Sequence, residues 1–456
     1  MKKRVFSILL ATIILVSIAA CTGGTSDTAG QNTGNTDTGT SNTSSPSPGT
    51  SSPATSSPSP SDTGAASPDT PSGGFVQGIT DTEVLIANSL PISGPWAVTG
   101  VPTKAGLEAY IRMINEGGGI DGRLIRYIHQ DDEADPMKGK PITQSFINDD
   151  KVFAIVESFG TAVVGAIIDD LREVGIPTVY FGTGIGQLYA ENAKTNAEGR
   201  NTFPVQPIYT TEGQVMVARG AGDFKATKIG IIYTNDDAGK DMLLGAEKKC
   251  QELGINYKSE QVAVNAPDVS AAITSIKSFD PDFIVCAAIQ ATMPTIVKEL
   301  ASQGLSVPVI TSYVNASGAM AEAVASDITG RFDLYASGWL DYSTDERWAN
   351  LELYQEWVEE EYRFNSYAQC GWIAGYFFCE GLRRLVGKEV TWDSFIDAME
   401  QAPITIPFGG TIDYSNGKRM GTPALAMFRV NMELNDGFNW ELAAPLESID
   451  EILAKV

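Results

Sequence analysis

His129 and Asp131 are the first side chains to consider for catalysis, because a histidine near an acid can serve as the base for a nucleophile. His129 is the only histidine of the chain, and it ends a predicted strand. The sequence contains no Gly-x-Ser-x-Gly nucleophile elbow, no phosphate-binding Gly-x-x-x-x-Gly-Lys-Ser/Thr loop and no zinc-binding His-Glu-x-x-His motif. We therefore expect no enzymatic activity. Asp131 and Asp132 are expected to cap a turn or to lie at a contact between lobes.

The cysteines offer little support for metal or redox chemistry. Four of the five cysteines follow residue 75, namely Cys250, Cys286, Cys370 and Cys379. No Cys-x-x-Cys pair occurs, which argues against a zinc site or a redox site. Cys370 and Cys379 lie in one predicted helix, about 13 Å apart along its axis, too far for a disulfide. We expect free, buried thiols, with a long-range disulfide left open, and neither a metal ion nor a cofactor.

Cys21 follows a segment whose order of charge and polarity is typical of a signal peptide. Three basic residues at 2–4 precede an uncharged, apolar-rich stretch at 5–20. That stretch is too short to span a bilayer as a stable helix, for which about 20 apolar residues are needed. The segment resembles the bacterial lipobox, in which the cysteine is lipidated and becomes the first residue of the mature chain. The resemblance implies a signal peptide at 1–20 and a lipid anchor on Cys21. An ordinary secretory signal with an incidental cysteine is the alternative.

Residues 22–75 form a segment that contains no Ile, Leu, Val, Met, Trp or Tyr and is rich in Ser-Pro pairs. Such a composition buries too little apolar surface to offset the entropy of ordering the chain. We therefore expect 21–75 to comprise the lipidated cysteine and a disordered Ser/Thr/Pro/Gly tether. A tether has no purpose in a freely secreted protein, which favours the lipid anchor.

Composition limits what the rest of the chain can do. The 32 basic and 56 acidic residues give a net charge of −24, which argues against a nucleic-acid partner. Hydrophobic residues make up 43% of the sequence, enough for a packed core. Residues 76–456 are too many for one core and are expected to divide into two lobes. No apolar run beyond residue 20 is long enough to cross a membrane.

Short apolar runs alternate with amphipathic segments in two successive stretches of the chain. In the first stretch, strands are predicted to begin near 84, 124, 153 and 177, with helices at 104–115, about 138–149 and 161–174. The second stretch has strands near 228, 259, 282 and 307, with helices at 240–253, 269–278 and 292–303. This alternation is typical of parallel sheets covered on both faces. It predicts an α/β fold with two doubly wound parallel-sheet lobes, which bind ligands at the carboxyl ends of strands.

A series of short motifs, in order, resembles the leucine/isoleucine/valine-binding proteins of ABC transporters. The motifs are Pro91-Ile-Ser-Gly-Pro, Gly100, Ile114-Asn-Glu-Gly-Gly-Gly-Ile-Asp-Gly, Asp131-Asp132, Pro136, Gly175-Ile-Pro and Asn235-Asp-Asp-Ala-Gly. The resemblance covers about residues 78–440. It implies the type I periplasmic-binding fold, in which a three-strand hinge joins two lobes and the ligand binds between them.

The resemblance also implies where the chain passes from one lobe to the other. The ligand-binding domain would cover 76–456, with crossings near 206, 339 and 418. The first lobe would then comprise about 78–206 and 340–417. The second lobe would comprise about 207–338 and 418–456.

Two strand-to-helix turns, at 157–161 and 181–184, match those that hold the ligand carboxylate in the family. Thr161 matches the hydroxyl ligand, and Ser158 and Phe159 lie in the same turn. A helix N-terminus suits a carboxylate, because it offers free N–H donors and the positive end of the helix dipole. A plain helix cap is the alternative role of Thr161, and the two roles are compatible.

The second turn shows one departure from the family. Gly182 matches the position whose backbone carbonyl accepts a hydrogen bond from the ligand ammonium. Gly184 replaces a family threonine, and Thr183 is expected to substitute for it. The resemblance therefore implies that both turns contribute to one site.

Larger departures concern the ligand ammonium. The family's acid that pairs with it aligns with Tyr313, and two tyrosines that stack on the ligand align with Ala238 and near Gln290. A buried ammonium without an acidic partner is costly, so an α-amino acid is not implied. Tyr313, Gln290, Trp96 and Phe159 would instead line a larger, neutral pocket for a carboxylate, an amide or an aromatic ligand. Core packing is the alternative role for Trp96 and Tyr313. If the alignment shifts by one residue, the missing charge would come from Glu157, Asp236 or Asp237.

These observations predict an extracytoplasmic solute-binding lipoprotein of an ABC importer, held at the cell membrane by lipid. It would capture an amino acid, an amide or a small carboxylate between two lobes and deliver it to a membrane permease. We expect a monomer. The alternative is an extracellular ligand sensor. Receptors with this fold need a transmembrane helix and a signalling domain on the same chain. Neither is predicted in this sequence, so sensing would need a separate signalling partner.

Overall fold

The computed structural model describes residues 76–290, 292–434 and 437–456. The predicted signal peptide, lipidated cysteine and tether, at 1–75, lie outside the described residues. Two lobes are present, which we name by their sheets: lobe 1 contains a five-stranded sheet and lobe 2 a seven-stranded sheet. None of the helices in the described ranges is long enough and apolar enough to cross a membrane.

Lobe 1 begins with five strands and three helices. The strands are β1 (Glu83–Leu90), β2 (Leu124–Asp131), β3 (Ala154–Phe159), β4 (Thr178–Gly182) and β5 (Thr202–Phe203). The helices are α1 (Ala97–Glu116), α2 (Pro136–Asn148) and α3 (Thr161–Val174). The strands are parallel, in the order β2-β1-β3-β4-β5. The central strands are almost wholly buried, as expected for a parallel sheet between helices.

The chain then builds most of lobe 2. Its helices here are α4 (Tyr209–Asp223), α5 (Asp237–Leu253), α6 (Ser270–Phe279), α7 (Thr292–Ser302) and α8 (Gly318–Ile328). Its strands are β6 (Lys228–Thr234), β7 (Asn256–Val262), β8 (Phe283–Ala287), β9 (Val309–Thr311) and β10 (Leu334–Gly338). These five strands pair in parallel, in the order β10-β9-β8-β6-β7.

The remaining chain returns to lobe 1 and then completes lobe 2. In lobe 1 it forms α9 (Asp345–Trp357), α10 (Ser366–Arg383), α11 (Trp392–Glu400) and a small hairpin of β11 (Ile404–Thr405) and β12 (Thr411–Ile412). In lobe 2 it forms β13 (Ala424–Val430), β14 (Trp440–Ser448) and α12 (Ile449–Ala454). Strand β13 pairs antiparallel with β10 and with β14, so this edge of the sheet is mixed. The predicted α/β fold of two doubly wound lobes is confirmed.

Glycines set the distance between helices α1 and α10, which pack closely in lobe 1. A Cβ added at Gly106 would lie 1.7 Å from the Ala368 carbonyl oxygen, and one at Gly371 would lie 1.9 Å from the Thr103 carbonyl oxygen. The two backbones therefore touch, as helices do where small residues face each other. This contact positions the start of α10, which contributes to the cavity described below.

The chain passes between the lobes three times, after β5, after β10 and after β12. The first and third crossings are joined where the Thr422 N–H donates to the Val205 carbonyl, at 2.8 Å. Beside the third crossing, the Arg419 N–H donates to the Ala190 carbonyl of lobe 1, at 2.7 Å. These bonds tie the third crossing to the first crossing and to lobe 1.

Candidate ligand-binding site

A cavity of about 320 Å³ lies between the two lobes. Its aromatic lining residues are Trp96, Phe159, Tyr209, Tyr313, Trp339, Tyr342, Tyr367, Phe428 and Phe438. Among the described residues that line it, no lysine or arginine occurs, and Asp236 is the single acid. The Asp236 Oδ1 accepts from the Gly239 N–H at 2.9 Å and from the Thr234 hydroxyl at 2.7 Å, and so caps α5. The cavity is therefore apolar over most of its wall.

The N-terminus of α3 opens into this cavity. Strand β3 ends at Phe159, and Gly160 follows with φ 90°, a left-handed conformation that glycine adopts without strain. The first helical hydrogen bond runs from the Val164 N–H to the Gly160 carbonyl, at 2.9 Å. The amides of 161–163 thus have no acceptor within the helix, and all three residues line the cavity. Free amides and the helix dipole make this end of the cavity suitable for an anion.

Three hydroxyl groups meet beside those amides. The Thr161 and Thr183 hydroxyls are hydrogen-bonded to each other at 2.9 Å, and Thr183 also accepts from the Ile185 N–H at 3.2 Å. Burial raises the pKa of the Tyr209 hydroxyl, while hydrogen bonds with these two threonines act in the opposite direction. Only Thr161 and Tyr209 reach the cavity wall. Thr183 therefore supports the Thr161 hydroxyl from behind.

Paired left-handed residues interrupt the sheet next to the site. Glu157 in β3 has φ 68° and Tyr180 in β4 has φ 61°, on neighbouring strands whose register skips this pair. The Glu157 carboxyl is buried, and neither of its oxygens has a hydrogen-bond partner among the described residues. Burial raises its pKa well above the usual range. Strained residues of this kind cluster at functional sites.

Tyr313 lies at the start of a short helical turn, 313–315, and points across the hinge. Its hydroxyl lies 3.2 Å from the Gln206 Oε1 and 3.2 Å from the Pro207 carbonyl oxygen. Its ring stacks on Tyr209 with centroids 6.0 Å apart. A Cβ added at Gly184 would lie 2.9 Å from the Tyr313 hydroxyl oxygen. The Pro207 carbonyl oxygen would lie nearer still, at 2.4 Å, so the backbone and the tyrosine together leave room only for glycine at position 184.

Glu212 holds the backbone that carries Tyr313. Its Oε1 accepts from the Tyr313 N–H at 2.7 Å, and its Oε2 accepts from the Ser312 hydroxyl at 2.8 Å. The side chain is fully buried in lobe 2. Burial raises the pKa of Glu212 to about 8, because these two hydrogen bonds only partly offset the loss of water. The protonated form of this carboxyl is therefore favoured at a pH well above that at which a glutamate ordinarily titrates.

This protonation predicts a pH-dependent stability. The carboxyl of Glu212 releases its proton at a higher pH in the folded chain than in the unfolded one. Its contribution to the free energy of unfolding is therefore complete below a pH of about 4.5 and is lost as the pH rises to about 8. Glu212→Gln, a neutral side chain of the same shape, is expected to reduce this slope. Urea unfolding at several pH values measures it, with Asp280→Asn, at a side chain 98% exposed, as the control. Equal slopes in Glu212→Gln and the wild type would contradict the assignment.

Tyr367 and Gln290 connect the lobes on the opposite side of the cavity. The Tyr367 hydroxyl, on α10 of lobe 1, donates to the Val314 carbonyl of lobe 2 at 3.1 Å. The Gln290 amide nitrogen lies 3.4 Å from the same hydroxyl. The Gly186 N–H of lobe 1 donates to the Asp241 carboxylate of lobe 2 at 2.7 Å. These contacts hold the lobes closed over the cavity.

Six of the eight predicted binding residues line the cavity, namely Trp96, Phe159, Thr161, Gly182, Gln290 and Tyr313. Ser158 does not line it, and its buried hydroxyl has no partner among the described residues. Thr183 lies behind Thr161. Of the three acids considered for the missing charge, Asp236 lines the cavity, whereas Glu157 and Asp237 do not. Their roles in binding stay predictions.

Several residues that line the cavity were not predicted from the sequence. They are Tyr209, Trp339, Leu340, Tyr342, Tyr367 and Gln369. They lie at the start of α4, in the second crossing and in α10. Aromatic residues that begin a helix or follow a strand end could have been predicted to line the site, because such positions face the carboxyl edge of a sheet.

The thiols and acids of the described ranges form no metal site. Within those ranges, no group of three or more histidine, cysteine, aspartate or glutamate residues could hold a metal ion. The four cysteines that follow residue 75 are free and buried, as predicted. Cys370 lines the cavity, and burial raises the pKa of its thiol to about 12. The thiol is therefore neutral and serves as a small apolar wall.

The fold and the enclosed cavity define a bilobed solute-binding protein. A family model described as "Periplasmic binding protein" matches residues 83–437, and the chain belongs to this family. Leu/Ile/Val-binding protein homolog 1 of Brucella abortus (strain 2308) is 27% identical over 293 residues, which cover 63% of this chain and 76% of the relative. Family membership implies an extracytoplasmic location.

Two solved structures share the fold. A fatty acid ABC transporter substrate-binding protein from Thermomonospora curvata superposes with a TM-score of 0.70 at 17% identity, over 84% of this chain and 97% of that chain. A branched chain amino acid ABC transporter protein from Thermus thermophilus, with bound valine, superposes with a TM-score of 0.70 at 15% identity, over 83% and 99%. The predicted resemblance to branched-chain amino acid binding proteins is confirmed at the level of family and fold.

Proposed function

We propose that the protein is the solute-binding component of an ABC importer, and that it captures a small carboxylate between its lobes and delivers it to a membrane permease. The observation that carries the proposal is the N-terminus of α3, which opens into an otherwise apolar cavity enclosed by both lobes. Ligand contacts from both lobes would stabilise the closed state, and opening at the hinge would release the solute.

The ligand class follows from the two ends of the cavity. The amides of 161–163 and the Thr161 hydroxyl would hold a carboxylate, and the aromatic walls would cover an apolar body. Valine is bound in the Thermus thermophilus structure, and the Thermomonospora curvata protein is named for fatty acids. Both kinds of compound combine a carboxylate with an apolar body, and only valine also carries an amine.

Among the described residues that line this cavity, one acid could neighbour the amine of an amino acid. Asp236 is half-buried at the start of α5, where one of its oxygens already serves as the helix cap. Neither Glu212 nor Glu157 lines the cavity. The proposal therefore covers carboxylates without an amine, as well as an amino acid whose ammonium shares Asp236.

Attachment to the membrane is a second part of the proposal. The resemblance of the segment around Cys21 to a lipobox supports a lipid anchor, and the tether that follows would let the binding domain reach a permease. Mass spectrometry of the protein purified from membranes would show a diacylglyceryl group on Cys21. A mature chain that begins elsewhere, without lipid, would contradict this part.

Thr161→Ala tests the carboxylate site directly. The variant is expected to bind a monocarboxylate about tenfold more weakly, because one hydroxyl donor is lost next to the α3 amides. Purified protein is unfolded and refolded to remove carried-over solute, and thermal shifts are measured with leucine, benzoate, fatty acids and small amides. Thr274→Ala, an exposed threonine of α6, is the matched control. Equal affinities in the two variants would remove Thr161 from the site.

A further inference from the structure

A second cavity, of about 510 Å³, lies next to the first; we call it the outer cavity and the first one the inner cavity. The two share four lining residues, Trp96, Gln290, Ser366 and Tyr367. The apolar lining residues that belong to the outer cavity alone are Pro95, Val98, Ala319, Met320 and Phe364. Both lobes therefore contribute to a space that continues the ligand site toward the surface.

Gln290 occupies the junction of the two cavities under unusual constraints. Its backbone has φ 47°, a conformation that costs a non-glycine residue energy. Its N–H donates to the Asn315 Oδ1 at 2.7 Å, which holds the backbone in place. The side chain is only 9% exposed, and its Oε1 has no hydrogen-bond partner among the described residues. A buried acceptor left without a donor is costly, so this oxygen is available for a donor on a ligand.

The surroundings of Gln290 favour a neutral donor. No lysine or arginine of the described residues lines either cavity. Asp236 caps α5, and Glu361 of the outer cavity is exposed to solvent. An ammonium group of a ligand at the junction would lose its hydration shell and gain a hydrogen bond to one neutral amide oxygen. That bond does not compensate for burying the positive charge. An amide N–H loses far less, because one acceptor satisfies it.

We propose that the ligand is an N-acylated amino acid. This inference rests on the proposed capture of a carboxylate. Its carboxylate lies at the α3 N-terminus and its side chain fills the inner cavity. Its amide N–H donates to the Gln290 Oε1, and its acyl chain extends past Trp96 and Tyr367 into the outer cavity. Acylation removes the positive charge for which the described lining of the inner cavity offers no free acidic partner.

Four ligands on one carbon skeleton test this proposal by calorimetry with the purified protein. They are isocaproate, L-leucine, N-acetyl-L-leucine and N-hexanoyl-L-leucine. We expect N-acetyl-L-leucine to bind about tenfold more tightly than L-leucine, and N-hexanoyl-L-leucine to bind about tenfold more tightly again. If L-leucine or isocaproate binds and the acylated compounds do not, the inference is overturned and carboxylate capture stands. If none of the four binds, carboxylate capture itself is overturned.

Two variants separate the donor from the acyl chain. Gln290→Leu is expected to lower the affinity ratio of N-acetyl-L-leucine to isocaproate about tenfold, because it removes the acceptor and keeps the volume. Phe364→Ala is expected to lower the ratio of the hexanoyl to the acetyl compound about fivefold, because Phe364 lines the outer cavity alone. Trp348→Ala, at an aromatic residue outside both cavities that is as exposed as Phe364, is the control and should leave both ratios unchanged. Unchanged ratios in the first two variants would overturn the proposal.

Discussion

Ala162→Asp is expected to weaken the binding of a monocarboxylate by about 100-fold or more and to leave the fold at least as stable as the wild type. Ala162 is the second residue of α3, is exposed, and lines the cavity beside the free amides. A carboxylate there would occupy the donors that the ligand needs. It would also repel the ligand by about 4 kcal/mol at a separation of about 4 Å and an effective dielectric constant of about 20. An acid in the first helical turn typically adds about 0.3–1 kcal/mol of stability.

Ala271→Asp is the matched control for this experiment. Ala271 is also exposed and is also the second residue of a helix, α6, but it does not line the cavity. Both variants add the same charge at the same helical position, so their melting temperatures should change alike. Calorimetric titration should then show lost binding in Ala162→Asp alone. Equal affinities would mean that the α3 N-terminus does not hold the ligand.

Much of the fold is predictable because the apolar residues keep one period along a whole element. The prediction of a helix at 161–174 agrees with α3, and each strand and helix predicted between 84 and 311 is present. Helix α1 begins at Ala97, whereas the prediction placed its start near 104. A proline inside a helix normally marks a break, but Pro102 lies within α1. Helix α4 has no clear apolar stripe in its sequence, because it is buried on more than one side. The antiparallel partner of β10 is distant in sequence, so no local pattern indicates it.

The site is only partly predictable, for reasons of geometry. Thr161 follows a strand end and a glycine, and the local sequence indicates both. Ser158 is one residue past Glu157, whose left-handed backbone is rare for a non-glycine residue and is not indicated by the local sequence. Trp339 and Tyr367 reach the cavity from distant segments, through the second crossing and through the close contact of α1 with α10. Tertiary packing alone brings these side chains together.

A buried arginine, Arg419, lies at the third crossing between the lobes. Arg419 is fully buried, and its Nη1 donates to the Lys418 carbonyl at 2.7 Å and to the Tyr414 carbonyl at 3.2 Å. Its Nη2 forms an ion pair with Glu400 of α11 at 2.6 Å and donates to the Arg200 carbonyl. The guanidinium also lies over the ring of Phe203, at 4.5 Å from the centroid. One side chain thus joins three separate segments of lobe 1 at the point where the chain leaves it.

Arg419→Met is expected to lower the free energy of unfolding by about 3–5 kcal/mol, because the charge pair is broken and several carbonyls lose their donor. Lys418→Met is the control, since Lys418 is 46% exposed and its ion pair with Asp413 is worth less than about 1 kcal/mol. Urea unfolding of both variants measures the difference. Similar losses would show that Arg419 contributes no more than a surface charge. A loss confined to Arg419→Met would show that the buried contacts of this side chain stabilise the segments that meet where the chain leaves lobe 1.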